Sequence, residues 1–205
     1  DEYADLMCAE NWVLTGLCEF DPSWPGVLEG FKGCIEGNAV VGPDGVLYNM
    51  LRHGAGRYPP EFGRAVLLKA DAEDPHAAPV FDRVIPFNGA QSKFVVLKDE
   101  VSGLYFSISN LSVDSRNPVT RYTLALKASK DLVEWKVLKI LIDRRHENPK
   151  EVGFQYPDFL FDGDDIVYAS RTAVNGARNF HDANCTTVGR VKNFRDLANA
   201  AFPGK

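Results

Sequence analysis

The sequence predicts an all-β protein of the β-propeller type, and three observations carry that reading. Apolar residues alternate with polar ones, or run for four to eight residues between clusters of Gly, Pro, Asn and Asp, which is the spacing of short strands and tight turns. Helical periodicity is confined to Asp5–Asn11 and Phe194–Ala201. One pattern recurs: an entering polar position, an apolar strand, a tight Asp/Gly turn, then a strand rich in Tyr and aliphatics. It runs from Glu36 to Tyr48, from Ser92 to Tyr105 and from Asp158 to Tyr168. Offsets of 57 residues from Glu36 to Lys93 and 65 from Lys93 to Asp158 suit a four-stranded blade with its loops.

The elements follow in order. Residues 1–33 are expected to form outer strands of a preceding blade and a linker. A blade over residues 34–90 takes strands at Ala39–Val41, Val46–Leu51, Ala65–Ala70 and Val84–Phe87. The next, over 91–150, takes Lys93–Leu97, Leu104–Ser109, Tyr122–Ala128 and Trp135–Ile142, and the last, over 151–205, takes Asp158–Phe161, Ile166–Ser170 and Cys185–Val191. The whole chain is read as part of one propeller domain.

Composition narrows the function classes. With 23 Lys+Arg against 28 Asp+Glu in 205 residues, the net charge of −5 argues against a nucleic-acid partner, which needs clustered cations. No apolar run approaches the roughly 20 residues of a membrane span, so no membrane partner is expected. The four cysteines, Cys8, Cys18, Cys34 and Cys185, form no C-x-x-C pair, and no metal or other cofactor is expected. Asp162-Gly163-Asp164-Asp165 lacks the ligand spacing of a calcium loop and reads as a turn. The chain does not begin with Met, which suggests a processed polypeptide, and the sequons at Asn110 and Asn184 lean towards a secreted or periplasmic location.

Residues equidistant from a tight turn lie side by side at the open end of a hairpin. Counting from Asp44 sets Glu36 against Arg52, counting from Asp164 and Asp165 sets Asp158 against Arg171, and counting from Val101 sets Lys93 against Ser109. In a propeller those ends and the loops at 172–183 and 53–63 share one face around the axis, which is the candidate site.

Three segments resemble the five-bladed β-propeller glycosidases of the arabinanase, xylosidase and invertase type. They are Ile35-Glu36-Gly37 with the hairpin to Tyr48, Ser129-Lys130-Asp131-Leu132 with Trp135, and Tyr156-Pro157-Asp158 with the run to Tyr168. Through Gln91-Ser92-Lys93-Phe94, Ala169-Ser170-Arg171-Thr172 and the stretch Asn179 to Asn184, the chain is also similar to bacterial sialidase-like, BNR-repeat proteins. The resemblance implies that Glu36 is the general acid of a glycoside hydrolase and that the chain holds three of five blades. The base and the remaining blades would then come from the parent chain or a partner chain. It departs from the family pattern where Gly37-Asn38 replaces Gly-Pro and where Tyr156 stands before Pro157 in place of Asp.

Each residue has a plain alternative. Glu36 is either a buried proton donor with a raised pKa or a carboxylate paired with Arg52. Arg52 and Arg171 either grip a carboxylated sugar or neutralise Glu36 and Asp158; a third arginine of the sialidase arrangement would be Arg57 or Arg178. Asp158 is set beside Glu36 as the second catalytic candidate, and Lys93, His181 and Asp182 as substrate-binding residues. Tyr156 is either packing or a tyrosine nucleophile of the sialidase kind. His53, beside Arg52, is a weaker ligand candidate. The function expected is that of a glycosidase acting on a carbohydrate, with an acidic sugar among the candidates; a non-catalytic carbohydrate-binding or structural propeller is the alternative.

Overall fold

The computed structural model of the chain describes residues 3–31, 33–53, 63–114, 117 and 119–203. The described residues form three antiparallel sheets, each a meander in chain order. The first holds β1 (Cys34–Val41), β2 (Leu47–His53), β3 (Arg64–Ala70) and β4 (Val80–Pro86). The second holds β5 (Val95–Asp99), β6 (Leu104–Asn110), β7 (Thr123–Ser129) and β8 (Trp135–Asp143). The third holds β9 (Gly153–Asp162), β10 (Asp165–Ala173) and β11 (Cys185–Val191), followed by α1 (Phe194–Ala201). Every strand segment read from the sequence after residue 33 overlaps one of these, and no helix among the described residues is long and apolar enough to cross a membrane.

The turns are built by the residues that the repeat pattern singled out. Between β1 and β2 the Gly42 N–H donates to Val46 O at 2.8 Å, Gly45 takes φ +79°, and the Asp44 carboxylate accepts from the Tyr48 hydroxyl at 2.8 Å. Between β7 and β8 one oxygen of Asp131 accepts from the Val133 and Glu134 N–H groups at 2.9 and 2.8 Å, while the Trp135 indole donates to Leu132 O at 2.9 Å. The Ser-Lys-Asp-Leu-x-x-Trp segment is therefore a hairpin clasp remote in role from the candidate site. The Asp162–Asp165 stretch is also a turn, held by Arg190 at 2.6 and 2.9 Å.

Burial explains why alternation fades in the middle of the chain. Every residue of β6 and β7 is buried, because the second sheet is covered on both faces. One core lies between it and the first sheet and includes Met50, Leu67, Phe87, Phe94 and Tyr105. The other lies against the third sheet and α1, with Phe106, Leu124, Phe159, Tyr168 and Phe194. The outward face of the third sheet is open, with Leu160 57% and Val188 69% exposed.

The N-terminal expectation is corrected. Residues 3–31 and 33 contain no strand, and the expected helix at 5–11 shrinks to a 3-10 turn, Ala9–Asn11. Pro22 and Pro25 lack the N–H a ladder needs. The segment lies against the first sheet through side chains, Trp24 stacking on Phe81 at 4.5 Å. One backbone bond accompanies it, from Gly16 N–H to His76 O at 2.9 Å.

A candidate anion-binding active site at the strand entrances

The first strand of each sheet brings one polar residue towards the same place, and β5 touches both β1 and β9. In β1 the ladder pairs Ile35 with Arg52 and Asn38 with Met50, leaving Glu36 and Gly37 in a bulge opposite Leu51. In β9 it pairs Gln155 with Arg171 and Asp158 with Ala169, leaving Tyr156 and Pro157 opposite Ser170. Glu36 and Tyr156 consequently take left-handed backbone, φ +54° and +49°, at roughly 1 kcal/mol or more each for a residue with a Cβ. Gly37 is needed beside Glu36 because a Cβ there would run into the Asn49 side chain. Bulges of this kind re-aim side chains, and here they turn Glu36 and Tyr156 towards each other.

Glu36 meets Arg52 at 2.7 Å, and Arg52 also donates to Gln91 O at 2.8 Å. Burial raises the Glu36 carboxyl, but the hydrogen bond and charge of Arg52, the Tyr156 hydroxyl and the Lys93 ammonium outweigh it and hold the group below the usual carboxylate range. That direction is the reverse of the one a proton donor needs. The Arg171 guanidinium lies 4.9 Å from the centre of the Tyr156 ring and the Arg121 guanidinium 6.0 Å. Burial, then the charge of Arg52, lowers the pKa of Arg121, while Tyr156 and Glu36 oppose that.

Arg121 was absent from the sequence-predicted set. It is only 8% exposed and donates to the Gln155 side-chain oxygen. The side-chain Nε atoms of Arg121 and Arg52 are buried with no hydrogen-bond partner among the described residues. Gln155, fully buried, donates to Phe180 O at 3.0 Å and His181 O at 2.5 Å, and Arg171 donates to His181 O at 3.1 Å. Asn110 braces the same corner, its amide donating to Phe154 O at 2.6 Å and Arg121 O at 3.3 Å. With that amide fully buried, the Asn110 sequon offers no attachment point in the folded chain.

The predicted residues separate into two groups. Glu36, Arg52, Lys93, Tyr156 and Arg171 converge, and His181 stands at the edge, its ring 6.5 Å from that of Tyr156 and its Nδ1 3.4 Å from the Asp182 carboxylate. Asp158 does not join them. It pairs with Ala169 in the register that the Asp162–Asp165 turn sets, and because the bulge at Tyr156–Pro157 comes between them it faces away from Tyr156, lining the hollow on the open face of the third sheet with Leu160 and Val188. The hairpin counts missed by one or two positions: the bulge at Glu36–Gly37 sets Ile35 against Arg52, the third-sheet turn centres one residue earlier than counted so that Asp158 meets Ala169, and the β5–β6 ladder sets Val95 against Ile108, one position from the count. His53 is buried against Phe31, ring centres 3.8 Å apart, and burial pushes its pKa down. Arg178 is exposed and 3.9 Å from Asp182, while Arg57 lies outside the described residues. No grouping of His, Cys, Asp and Glu among the described residues could hold a metal ion.

No protein-family model and no curated protein sequence matches the chain. Among solved structures, it is similar to the GH93 α-L-arabinofuranosidase of Fusarium graminearum in complex with arabinobiose, at 10% identity and a TM-score of 0.43, covering 69% of this chain and 42% of that one. It is also similar to an N-acetylgalactosamine deacetylase from F. plautii in complex with blood group B trisaccharide, at 14% identity and a TM-score of 0.49, covering 84% of this chain and 54% of that one. The chain thus spans about half the length of the solved structures it matches. At these scores the likeness adds nothing to the architecture read from the sheets.

Proposed function

We propose that the chain supplies the carboxylate-binding part of the active centre of a propeller glycoside hydrolase acting on an acidic sugar, a sialic or uronic acid. The observation that carries this is the excess of cations. Among the described residues, Arg52, Arg121, Arg171 and Lys93 gather at the carboxylate of Glu36, and two of the guanidinium groups keep a buried N–H without a partner. A planar carboxylate on a ligand suits guanidinium forks and completes the charge balance.

Glu36, held ionised, is cast as a base and not as the acid the sequence suggested. It takes the Tyr156 phenol proton as the phenolate oxygen attacks the anomeric carbon, and the glycosidic C–O bond breaks. The leaving oxygen takes its proton from an acid on a further blade, and water attack reverses the sequence. His181 and Asp182 edge the pocket that takes the rest of the sugar. The remaining blades of a five-bladed ring, from the parent chain or a partner chain, cover the exposed Leu160 and Val188. A secreted or periplasmic location fits such a substrate.

The decisive experiment exposes the complete protein to N-acetylneuraminic acid, galacturonic acid and galactose by titration calorimetry, then to a fluorinated sialic acid that traps a glycosyl–enzyme adduct. The reading requires binding of an acidic sugar at least tenfold tighter than of galactose, and an adduct mapped by peptide mass spectrometry to Tyr156. Equal affinities would remove the carboxylate site. Selective binding with no adduct and no turnover would favour the second reading, a binding propeller without chemistry, to which the distance of Asp158 from the cluster already lends support.

A further inference from the structure

Two cysteines with no part in the proposed site, both free thiols in this structure, line one hollow where the N-terminal segment crosses the first sheet. Cys18 belongs to that segment and Cys34 opens β1, and both line one hollow of about 240 Å³ whose other walls include Phe20, Trp24, Leu51 and Leu68. The segment is seated on both sides of Cys18. Ahead of it, Gly16 approaches Ala78 so closely that a Cβ would come within 3.0 Å, and its N–H bonds His76 O at 2.9 Å. Behind it, Phe20 packs edge-on against Trp24 at 5.4 Å, and Trp24 stacks on Phe81 at 4.5 Å. The two sulfurs are close enough to feel each other: burial, then the charge of Cys18, pushes the Cys34 thiol up to about 11. The other two cysteines point elsewhere. The Cys8 thiol contacts Glu10 at 3.5 Å, and the Cys185 thiol contacts Thr172 O at 3.7 Å on the third sheet.

We propose that Cys18 and Cys34 form a disulfide that fastens the N-terminal segment to the first sheet, two residues before Glu36. The two thiols give up two protons and two electrons to a small-molecule disulfide such as oxidised glutathione. A mixed disulfide forms on one cysteine, the second sulfur attacks it, and two molecules of reduced glutathione leave. Burial keeps Cys34 protonated in the folded chain, so the bond closes while the segment is docking and is slow to exchange afterwards. Closing the short loop between the two cysteines restricts the unfolded chain and also prevents the segment from lifting off the sheet.

The test is a peptide map. The full chain is refolded with oxidised and reduced glutathione, remaining thiols are alkylated, and the digest is read without reduction. The expected result is a Cys18–Cys34 crosslinked peptide, with Cys8 and Cys185 alkylated or glutathionylated. Reduction should then lower Tm by roughly 5–10 °C. Cys18→Ser and Cys34→Ser should each melt at the reduced temperature and lose the response to reductant. Recovery of Cys34 as the alkylated or glutathionylated peptide, or joined to Cys8 or Cys185, would overturn the proposal. If a serine variant does not fold, the map of the parent chain still decides. The outcome does not depend on whether the anion site binds sugar.

Discussion

Two carboxylate–guanidinium pairs in this molecule share a contact distance of 2.7 Å and differ in everything around it: Glu36 with Arg52, and Asp99 with Arg195. Asp99, at the end of β5, has a side chain only 3% exposed. It accepts two bonds from Arg195, at 2.7 and 2.8 Å, and two from Ser102, at 2.6 and 3.0 Å. Arg195, at the start of α1, completes its own set on Asp164 at 2.9 Å and Gly163 O at 3.2 Å. The pair is closed and pins the helix to the second sheet. Glu36 stands in a bulge, 25% exposed, with cations in excess and the Arg52 Nε unpartnered among the described residues. A closed pair stores stability, whereas an open one stores binding capacity, and sites are found where polar groups are left over.

The largest effect expected from that contrast is on chemistry. Tyr156→Phe removes the attacking oxygen and leaves the ring under Arg171, so turnover should fall by about 10³ or more while acidic-sugar affinity stays within a few fold. Single-turnover kinetics with an aryl sialoside or uronide provides the measurement. Retained turnover in the Phe variant would give Glu36 and Tyr156 purely structural roles.

Next in size is the closed pair. Asp99→Asn leaves Arg195 half-buried without a full countercharge, and about 3 kcal/mol of stability should be lost, a fall of roughly 6–12 °C in Tm. Sugar affinity should be unchanged. Arg171→Lys should do the opposite: Tm within a degree or two, and a 10- to 100-fold loss for acidic sugars only, because the ammonium cannot reproduce the fork. A shared phenotype would mean that the two regions do not divide stability and binding between them.

Much of this division was legible in the sequence. Strand positions, turns and the meander came through as apolar alternation punctuated by Gly, Asp and Pro; Glu36 stood out because it begins a repeated pattern, Arg52 as its counterpart across the Asp44 turn, and Tyr156 as the residue ahead of the Asp158 strand. Two features were hidden. A bulge shifts register by one residue without changing composition, so nothing in Tyr156-Pro157-Asp158 disclosed that Tyr156 would face Glu36 and Asp158 the opposite side. Arg121 enters β7, the third strand of its sheet, and hairpin counting stopped at the second. Extending it by one strand would have set Arg121 beyond Asn110 at the same open end. The N-terminal segment misled because its aromatic and aliphatic residues resemble strand sequence, though they pack only by side chains.

Lys127 extends the comparison to a charge with no partner of opposite sign among the described residues. It is fully buried on β7, donates to Asn88 O and to the Ser109 hydroxyl at 2.6 Å, and lies 4.5 Å from the Phe87 ring centre. Burial lowers its pKa from 10.5 to about 7. A lysine with a lowered folded pKa penalises folding fully below that value, and the penalty fades as pH rises towards the unfolded pKa. Stability should therefore climb by about 2–3 kcal/mol between pH 7 and 9. Lys127→Met should flatten the climb in urea titrations at the two pH values. An unaltered slope in the Met variant would assign the pH dependence to other groups.

The smallest effect tests whether Asp99 is closed by its neighbours or by Arg195 alone. Burial raises the Asp99 carboxyl, but Arg195 and the two Ser102 donors prevail and bring it from 3.8 down to about 2. A carboxylate lowered in the folded state contributes stability that is complete above the unfolded pKa and disappears as pH falls from about 4 towards 2. Ser102→Ala deletes the hydroxyl donor and keeps the backbone N–H, so the loss at pH 7 should be about 1 kcal/mol. The folded pKa should also rise, moving the acid-unfolding midpoint to higher pH in a circular-dichroism titration. Glu36 supplies the control, because acid sensitivity from the open pair should be identical in parent and Ser102→Ala chains. A Ser102→Ala protein with the parental acid midpoint would show that the guanidinium suffices, and that a closed pair differs from an open one only in its surplus of cations.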